Sequence, residues 1–320
     1  MSLELLREHW SGVINSLSIG ATQKEGGSRK SAIAVGGQTG LPFLHSESTT
    51  PNRPVTVFEI WDVEPDWPDI LKKSFGVSLK NTFDWARVCR DKFVAKALCL
   101  RLMGAHSDYG NKSAEELAIL VKDLLKAVDL PLIIVGCGDD TKDNIVLPKI
   151  CEVTKGERLL FGSATQNNYK TLTATVLADG HSIIAESPID INIAKQLNIL
   201  ISDMGLPSSR IVINPTVGAL GYGLEYAYSI MERARLAAFA GDTMLAMPFI
   251  CFVGHEAWRA KEAKANDQEA PLWGPQLERG PLWEALTAST FLQAGADILV
   301  MRHPQAIVEV EKMIDKLMEK

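Results

Sequence analysis

Three carboxylates lie near the ends of apolar runs of the sequence, at positions where they could act as general acids or bases. Glu59 and Asp62 lie near the end of one run, and Glu186 follows another. Carboxylates that face the same cavity could move protons during a reaction. The interpretation we favour for most of them is a buried ion network with Arg101 and Arg302, because charged residues at strand ends are often structural pairs.

A cysteine and a histidine offer two further kinds of chemistry. Cys137 lies between two glycines and could be a nucleophile, but no sequence pattern places a base beside it. We favour a small buried thiol, since free cysteine packs as an apolar side chain. His255-Glu256 begins like a zinc-binding H-E-x-x-H motif, which fails at Arg259. We therefore predict no catalytic and no metal-ligating residues in this chain.

A glycine-rich stretch follows Asn214-Pro215. Gly218, Gly221 and Gly223 could let the backbone approach a bulky ligand without obstruction by side chains. The spacing is not that of the dinucleotide fingerprint, which needs G-x-G-x-x-G directly after a strand. A ligand cradle and a purely structural strand-to-helix turn both remain open.

Eight short apolar runs, each followed by a longer segment of helical period, must position these residues. The runs are not alternating, which is typical of parallel strands covered on both faces. They are Val55 to Trp61, Ala97 to Leu102, Leu132 to Val135, Leu159 to Phe161, Ile183 to Ala185, Ile211 to Ile213, Phe249 to Val253, and Ile298 to Met301.

This order of elements predicts an α/β protein with a (β/α)8 (TIM) barrel, residues 54–320, as one domain. Ser113-x-x-Glu116 has the pattern of a helix capping box, and Gly180 and Gly295 mark helix ends. A doubly wound open sheet is the alternative, because sequence order does not show closure. In a barrel the active rim lies at the strand C-termini.

Two segments fall outside the repeating pattern. Residues 1–53 contain Gly26-Gly27 and Gly36-Gly37 on either side of Ser31 to Val35, which indicates a hairpin-containing N-terminal extension that caps the barrel. A long loop runs from Gly254 to about Pro281, after the seventh strand. Such loops are often lids or contact surfaces, so we expect one of these roles.

Composition excludes several classes of partner. The formal charge is -6, with no basic run that could follow a phosphate backbone, so we expect no nucleic acid. Neither a signal peptide nor an apolar run of membrane-spanning length is present, and we predict a cytoplasmic protein with no membrane contact. The five cysteines contain no C-x-x-C pair, which argues against disulfides or a metal cluster held by this chain.

Several segments of the sequence form a distinctive set. They are Gly36-Gly37 with Leu41-Pro42-Phe43, Asn52 to Val55, Asp66-Trp67-Pro68, Val135 to Asp139, Ser187 to Asn192, Leu220 to Tyr226, Ser229 to Arg233, Glu256 to Glu262, and Met301 to Pro304. With these segments the chain resembles, over nearly its whole length, one known family: the small subunit of the corrinoid iron–sulfur protein, also called the delta subunit of acetyl-CoA decarbonylase/synthase.

The resemblance implies a heterodimer whose large subunit carries a 4Fe–4S cluster and holds a cobamide that the small barrel covers. The cobalt would carry a methyl group from methyltetrahydrofolate, delivered by a methyltransferase, to acetyl-CoA synthase in the reductive acetyl-CoA (Wood–Ljungdahl) pathway. This chain lacks a D-x-H-x-x-G corrinoid module and a cysteine quartet, in agreement with a cofactor that is shared.

A corrinoid is wide, flat and fringed with amides, so a polar barrel mouth would suit it. We expect its nearest residues to be Asn192, Asn214, Gly221 and Tyr222, followed by Cys137, Asp139 and Ser163. The alternative function is a free-standing pterin-dependent TIM-barrel methyltransferase, which would use the same rim. A barrel hydrolase or aldolase fits less well, because no predicted strand ends in the lysine that a Schiff base needs.

Overall fold

The structure is a computed structural model that describes residues 7–319. Two short antiparallel strands, β1 (Leu17–Ile19) and β2 (Ile33–Val35), form the predicted hairpin. Eight parallel strands follow: β3 (Val55–Trp61), β4 (Leu98–Arg101), β5 (Leu132–Val135), β6 (Leu160–Ala164), β7 (Ser182–Glu186), β8 (Ile211–Asn214), β9 (Ile250–Cys251) and β10 (Ile298–Met301).

The helices lie around these strands. They are α1 (Asp69–Ser74), α2 (Thr82–Asp91), α3 (Ala114–Ala127), α4 (Asp140–Val153), α5 (Tyr169–Asp179), α6 (Ile191–Asp203), α7 (Leu224–Phe239), α8 (Val253–Ala257), α9 (Lys261–Lys264), α10 (Gln276–Gln293) and α11 (Pro304–Met318). Among residues 7–319, none of them combines the length and the apolarity that a bilayer span requires.

The strands close into a barrel. Their order is β8-β7-β6-β5-β4-β3-β10-β9, and a bridge between Ile213 and Phe249 joins the two outermost strands. The predicted (β/α)8 barrel is thus confirmed, and the open doubly wound sheet is wrong. All seven residues of β3 are buried, because the barrel interior covers one face and the helices cover the other.

The hairpin packs against the end of the barrel where the strands begin. Leu17, Ile19 and Val35 are buried in one cluster with Val55 and Ile298, the first residues of β3 and β10. The Gly20 amide donates to the carbonyl of Arg158, just before β6. The extension therefore contacts the amino ends of the strands and leaves their carboxyl ends uncovered.

The segment after β9 differs from the predicted long loop. It contains α8 and α9, and α10 begins at Gln276, so that Pro281 lies inside a helix. Proline removes one main-chain hydrogen bond from a helix interior. The buried Arg279 guanidinium holds the segment before the helix by donating to the carbonyl groups of Gly274 and Glu262.

Candidate functional site

The barrel mouth at the carboxyl ends of the strands holds a cavity of about 180 Å³. Active sites of TIM barrels lie at this end. The lining combines charged, hydroxyl and apolar side chains: Arg101, Val135, Ser163, Glu186, Asn214, Thr216, Val217, Phe252, His255 and Glu256.

Glu59 anchors an ion network beneath the cavity. Its fully buried carboxylate accepts from Arg101 Nε at 3.0 Å and from Arg302 Nε and Nη2 at 3.0 and 2.9 Å. Burial alone would raise the pKa of Glu59, but the two guanidinium groups outweigh it and hold that pKa well below its usual range. The predicted ion network is therefore confirmed for Glu59.

The other two carboxylates of the predicted network have different partners. Asp62 accepts from Lys112 Nζ at 3.0 Å and from the Gly104 amide at 2.9 Å, because it lies beyond the end of β3 against the chain that follows β4. Glu186 accepts from Asn214 Nδ2 at 2.9 Å, since β7 and β8 pair these residues in register. Their expected pairing with Arg101 and Arg302 is wrong.

His255 faces the cavity as a neutral imidazole. Its Nδ1 accepts from Arg302 Nη2 at 3.1 Å, and burial together with the charges of Arg302 and Arg101 lowers its pKa to about 3. The neighbouring Glu256 pairs with Arg259 at 3.1 Å. Across the part of the chain that the structure describes, no group of three or more metal-binding side chains converges.

Asn214 and Ser163 are the predicted cofactor-binding residues that line the cavity. The Asn214 side chain is engaged on both sides, because its amide donates to Glu186 and its oxygen accepts from the Thr216 amide at 3.1 Å. The Ser163 side chain is partly exposed in the mouth. The Ser163 hydroxyl can therefore bind a ligand directly, whereas the Asn214 side chain would first have to break a hydrogen bond within the chain.

The loop of Cys137 and Asp139 lies beside the mouth, after β5. Asp139 caps α4 by accepting from the amides of Thr141 and Lys142 at 2.9 and 3.3 Å. Cys137 is half-buried, and burial raises its pKa to about 11, so the thiol form dominates near neutral pH. Asp139 thus caps α4, and the Cys137 side chain, which we expected to be buried, packs only partly against the core.

Asn192, Gly221 and Tyr222 lie outside the cavity lining. Asn192 is exposed in the first turn of α6. The Tyr222 hydroxyl donates to Glu262 at 2.9 Å and accepts from the Lys261 amide at 3.1 Å. The glycine-rich stretch therefore connects to the segment after β9, while Ser163 and Asn214 face the mouth.

Two carboxylates that were not singled out in the sequence organise this end of the barrel. Asp143 is buried and accepts from the amides of Cys137 and Gly138 at 2.8 and 3.1 Å. In the sequence Asp143 is only an acidic residue one helical turn after the Asp139 cap. Acidic residues at this position are common on exposed helices as well, so the pattern did not indicate a buried contact.

Glu284 is the second of them. The fully buried carboxylate accepts from Trp258 Nε1 at 2.7 Å and from the amides of Arg302 and His303 at 2.5 and 3.0 Å. Burial raises its pKa to about 7 despite these donors. It joins α10 to the end of β10 and to the segment after β9, and nothing in the local sequence indicates that contact.

Dihydropteroate synthases are among the solved structures whose fold is similar to that of this chain. The enzyme from Xanthomonas albilineans in complex with 7,8-dihydropteroate matches with a TM-score of 0.57 and 10% sequence identity, over 87% of this chain and 99% of that one. The enzyme from Thermus thermophilus matches with a TM-score of 0.54 and 14% identity, over 86% and 99% of the two chains. At such low identities the likeness shows the fold alone.

Sequence relatives are much closer. The delta subunit of the acetyl-CoA decarbonylase/synthase complex of Archaeoglobus fulgidus is 34% identical over 98% of this chain and 70% of its own length. The delta subunit of Methanopyrus kandleri is 35% identical over 96% and 76%. The family model described as CO dehydrogenase/acetyl-CoA synthase delta subunit matches residues 18–314. This chain belongs to that delta subunit family.

Proposed function

We propose that this chain is the small subunit of a heterodimeric corrinoid iron–sulfur methyl carrier, and that it works within an acetyl-CoA-synthesising complex. The family membership carries the proposal, because the relatives are named as delta subunits of the acetyl-CoA decarbonylase/synthase complex. The cobamide would be shared with a large subunit, and the 4Fe–4S cluster would belong to that partner alone.

The mouth is too small to enclose a cobamide but offers polar groups to one face of it. Pockets that enclose a ligand of drug size usually measure about 300–1,000 Å³. The cavity of about 180 Å³ is smaller, so the macrocycle would lie across the mouth and not inside it. Ser163, the free oxygen of Glu186 and the Arg101 guanidinium are polar groups that could meet the peripheral amides of the ring.

Three carboxylates around the mouth have fixed partners, which supports a holding role for this chain. Glu59 is shared by two arginines, Asp62 is paired with Lys112, and Asp143 holds backbone amides. These carboxylates are fixed in place by their partners. The cobalt of the bound cobamide would supply the chemistry of methyl transfer, from a methyltetrahydrofolate methyltransferase to acetyl-CoA synthase.

The first experiment measures the isolated chain. We expect a colourless protein that does not demethylate methyltetrahydrofolate with free cob(I)alamin. Turnover at an enzymatic rate, about 1 per second or more, would contradict the carrier role and would favour a free-standing pterin-dependent methyltransferase.

The second experiment co-expresses the chain with the large subunit and measures cobamide retained by the purified pair. Replacing Ser163 with Phe fills the mouth, and we expect the pair to remain intact while cobamide affinity falls at least about tenfold, which corresponds to about 1.4 kcal/mol. Thr171→Phe on the exposed side of α5 is the matched control. Equal retention in the two variants would place the cobamide elsewhere.

A further inference from the structure

We propose that the exposed apolar surface on α10 and the segment before it docks the partner subunit, through a helical, apolar surface that carries a basic residue. This inference rests on the proposed function and adds the place and the chemistry of the subunit contact. The surface, called the α10 surface below, consists of Leu272, Trp273, Leu277, Leu282 and Leu286.

The exposure of the α10 surface is unusual for a protein that acts alone. Leu272, Leu277 and Leu282 are 96%, 72% and 57% exposed, and Trp273 and Leu286 are 44% and 45% exposed. Scattered apolar residues are normal on a monomer, but a contiguous group marks an interaction site. Aromatic residues such as Trp273 are enriched in the centres of protein interfaces.

Two grooves make four of these side chains, all except Leu272, contiguous. One, of about 720 Å³, lies between α10, α1 and α11 and is lined by Leu277 and Leu282. The other, of about 600 Å³, lies on the opposite side of the helix and is lined by Trp273, Leu282 and Leu286. Leu282 therefore lies on a ridge between two grooves, the shape into which the ridges of another helix pack.

Contacts within this chain hold the segment that carries Trp273 against α10. Arg279 is buried and donates to the carbonyl oxygens of Glu262, Gly274 and Ala265, and its guanidinium lies 5.7 Å from the centre of the Trp273 ring. The segment before α10 is thereby fixed in position. A preorganised surface loses little conformational freedom on binding, which favours affinity.

The charge of the α10 surface favours a different protein over a second copy of this chain as its partner. Glu278 lines both grooves and, within residues 7–319, forms no ion pair. A two-fold axis that passes beside Glu278 would bring Glu278 of one copy against Glu278 of the other, and such like-charge contacts are unfavourable. A partner with a lysine or arginine opposite Glu278 would remove the conflict.

The α10 surface is connected to the mouth. His255 and Glu256 of α8 line the mouth cavity, and Trp258, directly after α8, donates to Glu284 of α10. A β-carbon at Gly280 of α10 would lie only 2.6 Å from the Trp258 ring, so the two elements pack closely. A partner seated on the α10 surface would therefore lie beside the mouth that it helps to cover.

The test measures the affinity of the full chain for the large subunit by titration. Leu277→Asp and Leu282→Asp should each weaken the pair at least about 30-fold, the effect of losing an interface hot spot. Ile119→Asp and Ile145→Asp, at side chains that are each 62% exposed on α3 and α4, are the matched controls and should leave affinity unchanged. Glu278→Lys should also weaken binding, less so at high salt.

The outcomes separate the two proposals. If the pair forms and the leucine variants bind as tightly as the controls, the α10 surface is not the docking site, whereas the proposed function stands. If the unmodified chain forms no pair, both proposals fail. If the isolated chain dimerises and Leu282→Asp dissociates it, the occupant is a second copy. Circular dichroism of each variant, together with the milder Leu282→Gln, checks that a loss of binding is not a loss of folding.

Discussion

Glu284 is a fully buried carboxylate whose protonation changes near neutral pH. Burial raises its pKa from the ordinary 4.5 to about 7, although two backbone amides and Trp258 Nε1 donate to it. Protonation would occupy one of the carboxylate lone pairs, so that fewer remain to accept from these three donors. We therefore expect the contact between α10 and the end of β10 to depend on pH.

We predict that the Glu284 contribution to stability falls as the pH rises. The folded state holds this proton up to about pH 7, whereas the unfolded chain releases it near pH 4.5, so the contribution is complete below pH 4.5 and is lost as the pH rises through 7. At 1.36 kcal/mol per pKa unit, the loss amounts to about 3 kcal/mol. Urea unfolding between pH 5 and 8 measures it.

Glu284→Gln isolates this contribution. His255 and His303 act in the opposite direction, because burial lowers their pKa values to about 3 and about 4, and that change remains in the variant. The difference in the free energy of unfolding between the two proteins should therefore depend on pH. A constant difference across pH 5 to 8 would contradict the assignment.

At the scale of one element, the Asp143 side chain holds the loop between β5 and α4 in place. Gly136 has no space for a side chain, because a β-carbon there would lie 2.2 Å from the Asp143 carboxylate carbon. Asp143 in turn binds the amides of Cys137 and Gly138. The position of Cys137 at the mouth thus depends on a glycine that is not itself in contact with solvent.

Gly136→Ala should displace Asp143 and loosen this loop. We expect a loss of about 1–3 kcal/mol, the usual effect of overpacking, together with faster labelling of Cys137 by a thiol reagent. Gly138→Ala is the control, because no atom lies within 4 Å of the added carbon and only the positive φ of 93° opposes it. If the labelling rates of both variants equal that of the unmodified chain, Asp143 does not hold the loop.

Strands could be predicted from the sequence where their surroundings are uniform. The bounds of β3, β5 and β10 agree with the predicted runs, because every residue in them is buried and apolar runs report burial on both faces. The predicted run from Phe249 to Val253 contains only the two residues of β9, and Val253 begins α8. Apolar residues are equally suited to a strand and to a buried helix, so the local pattern cannot place that boundary.

Side-chain partners could be predicted only where the residue types leave few choices. Glu59 near the end of one strand, with arginines at the ends of two others, correctly indicated a buried network. The partner of Asp62 is Lys112, fifty positions later in the sequence and outside any motif. Such pairs depend on how loops fold over the mouth, which periodicity does not describe.

At the scale of the whole molecule, Asp297 joins three parts of the chain. Its carboxylate accepts from Gln38 of the N-terminal extension at 2.6 Å, from Arg235 of α7 at 2.5 Å, and from the Phe249 amide before β9 at 2.8 Å. Asp297 itself immediately precedes β10. The extension, a helix and the last two barrel strands are thus connected through one buried charge.

Asp297→Asn should destabilise the extension and the barrel together. Removing one member of a buried ion pair leaves the other charge uncompensated, which costs about 3–5 kcal/mol. Arg235 is only 1% exposed and would be left in this state. Asp123→Asn, which breaks an exposed pair with Lys126, is the control and should cost less than about 1 kcal/mol.

Urea unfolding followed by two signals distinguishes a local effect from a global one. Circular dichroism reports mainly on the barrel helices, and tryptophan fluorescence includes Trp10 of the extension, whose ring lies 5.7 Å from that of Phe239 at the end of α7. If Asp297 holds one cooperative unit, both signals should move to lower urea by the same amount. Separate transitions in the variant would mean that the extension detaches first. A shift of the urea midpoint no larger than that of Asp123→Asn would mean that the contacts of Asp297 contribute little to stability.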